Sequence, residues 1–146
     1  RQLLEELRRI LGLNRQWKMV LVGAGRLGRA ILGYEGFAPQ GFKIVEAFDS
    51  DPCTVGTQID GLVIKDTKEL EKTLRENPVD VGIVAVPAEA AQEVIDRLVK
   101  CGIRAILNYA PVSAHVPRDV QIKRIDPVLA LQGMTYYLKT RLPGPK

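Results

Sequence analysis

The chain has 146 residues, of which 46% are hydrophobic, and its 21 Lys and Arg against 17 Asp and Glu give a net charge of +4. This length suits one domain with its own core. The charges are interspersed, without a Lys/Arg block of the kind that follows nucleic-acid phosphates, and no apolar run reaches the ~18 residues of a membrane span. The two distant cysteines, Cys53 and Cys101, argue against a disulfide framework or zinc site and fit a reducing cytoplasm. We expect free thiols, one of them packed.

Residues 1–14 are predicted to form an amphipathic helix and a linker. Leucine and isoleucine recur at helical spacing from Leu3 to Leu11 with charged residues between them, and Gly12 and Asn14 supply a stop. The apolar stripe of this helix has three candidate partners. They are the sheet that follows, a partner and an upstream domain.

The next stretch is a G-x-G-x-x-G motif between a predicted strand and a predicted helix. Met19 to Val22 forms the strand, and the helix runs from Arg26 to Gly33. In this context the first glycine allows a sharp turn, the second lets a pyrophosphate approach the backbone, and the third lets the helix pack closely on the strand. The candidate phosphate-binding residues are Gly23, Ala24, Gly25, Arg26, Leu27 and Gly28.

A second strand, Phe42 to Phe48, ends in Asp49 at about 20 residues beyond the last glycine of the motif. A carboxylate at this point accepts hydrogen bonds from an adenosine ribose and repels a 2′-phosphate. No Lys or Arg follows in Ser50 to Cys53 to offset that repulsion. The pattern therefore predicts NAD(H) and not NADP(H) as the ligand.

Strands and helices alternate through the rest of the chain, which predicts a Rossmann-type, doubly wound α/β fold with a mostly parallel sheet. The predicted elements are a strand at 61–64, a helix capped by Asp66 and stopped at 77–78, a buried central strand at 81–86, a helix at 89–100, a strand at 105–108 and an edge-side strand at 120–125.

The sequence predicts a nucleotide domain over 15–126 and a terminal helix and tail over 127–146. Asp126 caps this helix, and Pro127 occupies its first position. Much of the helix surface is apolar, so it packs either on its own sheet or in a dimer contact.

Two predicted strand ends have candidate roles at the nicotinamide. In a doubly wound sheet the ligand lies at the carboxyl ends of the strands, where Val86-Pro87 and Tyr109-Ala110 are placed. Simple turn chemistry explains the prolines equally well. Of the two aromatic residues in the loop 34–41, Phe37 is expected to cap the core, whereas Tyr34 fits either a core cap or a ligand contact.

No catalytic residue is predicted. A dehydrogenase needs a proton donor or base near the nicotinamide and a place for its substrate. The single histidine, His115, lies in a predicted loop beside Pro117, and only one helix and a tail follow the sheet. We therefore expect a module that binds the nucleotide without turning it over.

A larger set of short motifs extends over nearly the whole chain. Its members are Val22 to Gly28, Gly36-Phe37, Phe48 to Pro52, Val55-Gly56, Ala85 to Ala88, Ala91-Gln92, Gly102-Ile103 and Ile106 to Val112. In these residues the chain resembles the Rex family of redox-sensing transcriptional repressors of bacteria. The chain departs from many members in having Tyr109 in place of Phe, and from some in having Pro127 in place of an aromatic residue.

The resemblance implies a homodimer that senses the NADH/NAD+ ratio. Its terminal helix would be swapped onto the partner subunit, and NADH would close the dimer and release operator DNA. DNA would be bound by an N-terminal winged-helix domain that is not in this chain. By similarity, the glycine motif would hold the pyrophosphate, Asp49 the ribose, and the two strand ends the nicotinamide. Tyr34 and Asp126 stand where the family has residues of its redox switch.

Three alternatives remain from the sequence. One is the nucleotide-binding regulatory domain of a potassium channel or transporter, which is not expected to carry the stretch Asn108 to Pro111. Another is the NAD domain of a reductase cut from its substrate domain. The last is a CoA-binding domain, against which Asp49 counts because CoA binding needs no acid at this strand end.

Overall fold

The computed structural model describes residues 16–125. Its strands are β1 (Trp17–Val22), β2 (Phe42–Asp49), β3 (Gln58–Ile59), β4 (Leu62–Val63), β5 (Lys65–Asp66), β6 (Val81–Val84), β7 (Ala105–Asn108) and β8 (Gln121–Arg124). Six of them form a parallel sheet in the order β5-β2-β1-β6-β7-β8, which is the main feature of the fold. The predicted doubly wound fold is confirmed. The order reverses at β1, between β2 and β6, which is where such sheets bind ligands.

Helices cover both faces of the sheet. They are α1 (Arg26–Leu32), α2 (Leu70–Glu76) and α3 (Ala88–Lys100), with 3-10 turns at Ala38–Gln40 and Thr67–Glu69. Alternate side chains of β1 point to opposite faces, as the period of a strand requires. Val20 and Val22 join a core cluster with residues of α2 and α3, whereas Met19 and Leu21 join a second cluster with Ile31 of α1.

The predicted elements differ from the structure mainly after β2. In place of one strand at 61–64, β3 and β4 form a short antiparallel hairpin, and β5 then pairs with β2. A tight turn at Asp60-Gly61, where both φ angles are positive, explains the interruption. Asp66 caps the next segment as predicted, since its carboxylate accepts a hydrogen bond from the Lys68 N–H at 2.9 Å.

Other predicted boundaries agree closely with the structure. The strand at 105–108 is β7, α3 begins one residue before its predicted start, and β8 is an exposed edge strand. The predicted helix at 1–14, Asp126 and the terminal helix at 127–146 lie outside the described residues. The predicted domain limits stay predictions.

Candidate nucleotide-binding cleft

A cleft of about 560 Å³ lies at the carboxyl ends of β1, β2, β6 and β7. The backbone ladder continues past the strand ends. The N–H groups of Gly23, Ala85 and Tyr109 donate to the carbonyls of Phe48, Val22 and Val84, respectively, each at 2.8 Å. The loops that border the cleft are therefore fixed to the sheet before any ligand arrives.

The glycine motif forms the turn between β1 and α1. Gly23 has a φ of +106°, and a Cβ there would meet the Ala85 carbonyl oxygen. A Cβ on Gly28 would meet the Gly23 carbonyl oxygen, because α1 packs directly on the turn. A Cβ on Gly25 would have no neighbour within 4 Å, and Gly25 lines the cleft. The three glycines thus have the local geometry expected of a phosphate-binding turn, and their contact with a ligand stays a prediction.

The residues of the motif differ in how they face the cleft. Arg26 and Leu27 line it, whereas Ala24 is fully buried and packs in the core. The Ala24 N–H donates to Asp49, and the Arg29 Nε donates to the Ala24 carbonyl at 3.3 Å. Ala24 therefore shapes the turn through its backbone bonds.

Asp49 joins the end of β2 to this turn. Its Oδ2 accepts a hydrogen bond from the Ala24 N–H at 2.7 Å, and its Oδ1 accepts one from the Asp51 N–H at 2.9 Å. The residue is half-buried and lines the cleft. A carboxylate oxygen accepts more than one hydrogen bond, so both oxygens keep lone pairs for ribose hydroxyls.

The loop after Asp49 is also ordered by its own hydrogen bonds. The Asp51 Oδ1 accepts a hydrogen bond from the Cys53 N–H at 2.9 Å, and the Asp51 carbonyl accepts one from the Thr54 N–H at 2.9 Å. Ser50, Asp51 and Thr54 line the cleft beside Asp49. We call Asp49, Ser50, Asp51, Thr54 and Thr67 the acidic end of the cleft.

The opposite end of the cleft is apolar. Val86 and Pro87, after β6, line it together with Tyr109 and Pro111, after β7. Ala110 lies between two of these lining residues, but its own side chain is 1% exposed and belongs to the core. Its nearness to the nicotinamide stays a prediction. We call Val86, Pro87, Tyr109 and Pro111 the apolar end of the cleft.

Asn108 and Gln92 hold the apolar end in place. The fully buried Asn108 side chain donates to the Val112 carbonyl at 2.9 Å and accepts from the Ala110 N–H at 3.0 Å, which closes the turn around Tyr109. The Gln92 amide of α3 both donates to the His115 carbonyl and accepts from the His115 N–H, at 2.9 and 2.8 Å. The sequence does carry a signal for Asn108, because Asn108 is a polar residue at the end of an apolar strand.

Arg97 of α3 reaches the acidic end. Its Nε and Nη2 donate to the two carboxylate oxygens of Glu71, at 2.6 and 2.7 Å, and Nη2 also donates to the Thr67 carbonyl. The hydrogen bond from Arg97 lowers the pKa of Glu71 to about 2, and the same bond raises the pKa of Arg97. Sequence reasoning missed this pair because its members are on different helices and no local motif joins them.

Tyr34 is not brought to the cleft. Its ring is 60% exposed and lies edge-on to Phe37, with ring centroids 4.9 Å apart, beside a separate groove that includes the first residues of β2. Phe37 is half-buried against the α1 side of the core, as expected of a core cap. Tyr34 thus does not line the cleft, and its role in a switch stays a prediction.

The remaining candidates supply no reactive group to the cleft. His115 is exposed, and only its backbone is held by Gln92. Cys53 is exposed and Cys101 half-buried, both as free thiols, and burial raises the pKa of Cys101. Within residues 16–125 no group of three or more His, Cys, Asp or Glu could hold a metal ion. In that same range no helix is long and apolar enough to cross a membrane.

The geometry of the cleft agrees with the protein family whose sequence model matches this chain. The sequence model of the family described as "CoA binding domain" matches residues 14–112, so the chain belongs to this domain family. A CoA-binding domain was one of the three alternatives, and this match supports it at the level of the domain family.

Proteins of similar sequence define the family of this chain more narrowly than the domain family does. A redox-sensing transcriptional repressor Rex from Roseiflexus sp. (strain RS-1) is 50% identical over 138 residues, which are 94% of this chain and 63% of the relative. One from Carboxydothermus hydrogenoformans is 43% identical over 139 residues, which are 95% of this chain and 67% of the relative. The chain belongs to the Rex family. It spans about two thirds of the length of these Rex repressors, at 63% and 67%.

Solved structures of the Rex family agree. RSP, a Rex-family repressor, in complex with beta-NADH has a TM-score of 0.85 and 34% identity, over 95% of this chain and 68% of RSP. RSP in complex with beta-NAD+ and operator DNA has a TM-score of 0.84 and the same 34% identity, over 95% of this chain and 64% of RSP. The resemblance stated from sequence motifs is therefore confirmed at the level of family and fold.

Proposed function

We propose that this domain binds NADH and NAD+ in the cleft, distinguishes between them, and thereby controls a transcriptional repressor. The observation that carries the proposal is the arrangement of Asp49 and the glycine turn. Asp49 is bonded to the Ala24 N–H at 2.7 Å, so the ribose-binding carboxylate and the phosphate-binding turn are held as one unit. Gly25, with no neighbour within 4 Å of a Cβ position, leaves room for the pyrophosphate.

The two ends of the cleft fit the two halves of a dinucleotide. The acidic end suits the adenosine ribose, and the apolar end suits the nicotinamide. NAD+ carries a positive charge on the ring, whereas the reduced ring is neutral. Val86, Pro87, Tyr109 and Pro111 present no carboxylate at the apolar end, so burying the charged ring there is costly. The lower cost of burying the neutral ring favours the binding of NADH over that of NAD+.

The proposal extends to the whole protein through the Rex relatives. A ligand shifts an equilibrium between two dimer arrangements only by its differential affinity for them. In our proposal NADH favours the arrangement that releases operator DNA, and DNA is bound by a part of the protein outside this chain. The homodimer forms through residues 127–146, the protein acts in the cytoplasm, and the nucleotide is bound without being turned over.

A CoA ligand is the second candidate, which the domain family's description favours. CoA carries a phosphate on the 3′-hydroxyl of its adenosine ribose. That phosphate would lie against the Asp49 carboxylate, and like charges at this distance repel each other. Asp49 therefore favours a dinucleotide without a ribose phosphate over CoA.

Calorimetric titration with NADH, NAD+, NADPH and CoA tests the proposal. We expect NADH to bind most tightly of the four. Asp49→Asn should lower the affinity for NADH by about tenfold, because hydrogen bonds to a charged group are lost. Asp60→Asn is the matched control, since Asp60 is exposed, lies outside the cleft, and has a φ of 49° that Asn also adopts. Equal affinity for NADH and NAD+ would remove the sensing function. Tighter binding of CoA than of NADH would identify CoA, and not NADH, as the ligand of the cleft.

A further inference from the structure

Helix α3 turns one stripe of its surface toward the cleft. Ala90, Glu93, Val94 and Arg97 all line it, at the three- and four-residue spacing of one helical face. The stripe combines the small and apolar side chains of Ala90 and Val94 with the carboxylate of Glu93, and it ends at the guanidinium of Arg97. The cleft therefore has a cationic, planar wall at one point on its α3 side.

The structure places this guanidinium at the acidic end. Arg97 donates to the carbonyl of Thr67, which directly follows β5. The last residue of β5, Asp66, pairs with Asp49 of β2 in the parallel ladder. Adjacent strands are about 4.8 Å apart. The guanidinium of Arg97 is thus hydrogen-bonded to the residue that follows the strand next to Asp49, on the side of the cleft where a base attached to the proposed ribose would lie.

The bonds of Arg97 fix the orientation of its planar group. Glu71 accepts two hydrogen bonds, at 2.6 and 2.7 Å, and the Thr67 carbonyl accepts another. The N–H groups of a guanidinium lie in its plane, so these bonds lock the plane and do not themselves cover its faces. A weakly hydrated guanidinium stacks well on an aromatic ring, unlike the ammonium group of lysine. Glu71 is not part of the cleft lining, and its hydrogen bonds to Arg97 connect it to the cleft.

We propose that Arg97 forms the end wall of an adenine subsite, with its guanidinium plane stacked on the base and Glu71 as the positioning residue. The inference rests on the proposed function only in that the ligand carries an adenosine. NADH, NAD+ and CoA share this group, so the stacking sets affinity for the adenosine half and leaves the choice between oxidised and reduced nicotinamide to the apolar end.

The test uses ADP-ribose, which contains the adenosine and pyrophosphate but no nicotinamide. We expect Arg97→Leu to raise the Kd of ADP-ribose, NADH and NAD+ by the same factor, about five- to tenfold, and to leave the ratio of the NADH and NAD+ affinities unchanged. Arg97→Lys keeps the charge but loses the plane, and should weaken ADP-ribose nearly as much. Glu71→Gln should weaken it by about two- to threefold, because the plane is less well held.

Lys100→Gln is the matched control, because it removes one positive charge from an exposed position of the same helix that does not line the cleft. Circular dichroism of each variant verifies folding. Unchanged ADP-ribose affinity in folded Arg97→Leu and Arg97→Lys would overturn the adenine subsite while leaving NADH sensing intact. A wild-type domain that binds CoA tightly and neither NADH nor ADP-ribose would instead overturn the proposed function.

Discussion

Gly25 and Gly28 belong to one motif, but their surroundings differ. A Cβ on Gly28 would meet the Gly23 carbonyl oxygen, which is backbone and has little freedom to move. A Cβ on Gly25 would project into open space in the cleft. Gly28 is therefore required by the fold itself, and Gly25 by the ligand that we propose for the cleft.

Alanine substitutions should separate these two requirements. We expect Gly28→Ala to destabilise the domain by about 1–3 kcal/mol, because α1 must move away from the turn. Gly25→Ala should change the unfolding free energy by less than about 0.5 kcal/mol. It should lower the affinity for NADH by roughly tenfold or more, because a methyl group takes the space of the pyrophosphate. Urea unfolding and NADH titration of both variants provide the measurements. Tight NADH binding by Gly25→Ala would contradict this account of the turn.

At the scale of elements, the ion pair of Glu71 and Arg97 joins α2 to α3. The pKa of Glu71 is lowered from 4.5 to about 2 by its bond with Arg97. A lowered pKa in the folded state means that the stabilisation is complete above pH 4.5 and is lost as the pH falls toward 2. Because the Glu71 side chain is 43% exposed, solvent screening limits the contribution.

We expect wild type to lose about 0.5–1 kcal/mol of unfolding free energy from this pair between pH 4.5 and 2. Glu71→Gln should remove that part of the pH dependence, and high salt should reduce it in wild type. Glu76→Gln, an exposed substitution at the end of the same helix, is the control. Urea unfolding at several pH values measures the difference. Parallel pH profiles for wild type and Glu71→Gln would show that the pair does not couple the two helices.

Much of the fold could be predicted because its elements carry local signals. The apolar run 81–86 predicted a central strand, and the glycine motif predicted the turn into α1. The hairpin of β3 and β4 was missed because its strands have only two residues each, too few for a periodic pattern. The sequence therefore predicts a single strand at 61–64 where the structure has a hairpin.

The candidate site was predictable only where a residue follows directly from a strand end. Asp49 and Pro87 are such residues, and they line the cleft as expected. Arg97 depends on the packing of two helices, and Ala110 on the hydrogen bonds of Asn108, so neither position follows from sequence spacing. Tyr34 was placed in a loop correctly, but the loop leads away from the cleft.

At the scale of the whole molecule, residues from several strands and from helices on both faces of the sheet form or support the cleft. The glycine turn begins α1 on one face of the sheet, whereas Arg97 and Gln92 belong to α3 on the other face. The acidic end depends on β2 and β5, and the apolar end on β6 and β7. A bound dinucleotide would therefore connect elements on both faces of the sheet. Its binding free energy should appear as stability of the whole domain.

Thermal unfolding with added nucleotide tests this coupling. A ligand that binds only the folded state at 100 times its Kd adds about 2.7 kcal/mol of stability. For a chain of this size that corresponds to a rise in Tm of roughly 5 °C or more. At equal concentrations NADH should raise Tm more than NAD+, because the neutral ring is the easier one to bury at the apolar end. Asp49→Asn should reduce both shifts, whereas Asp60→Asn should leave them unchanged. Equal shifts with both nucleotides would mean that the apolar end does not distinguish the two redox states.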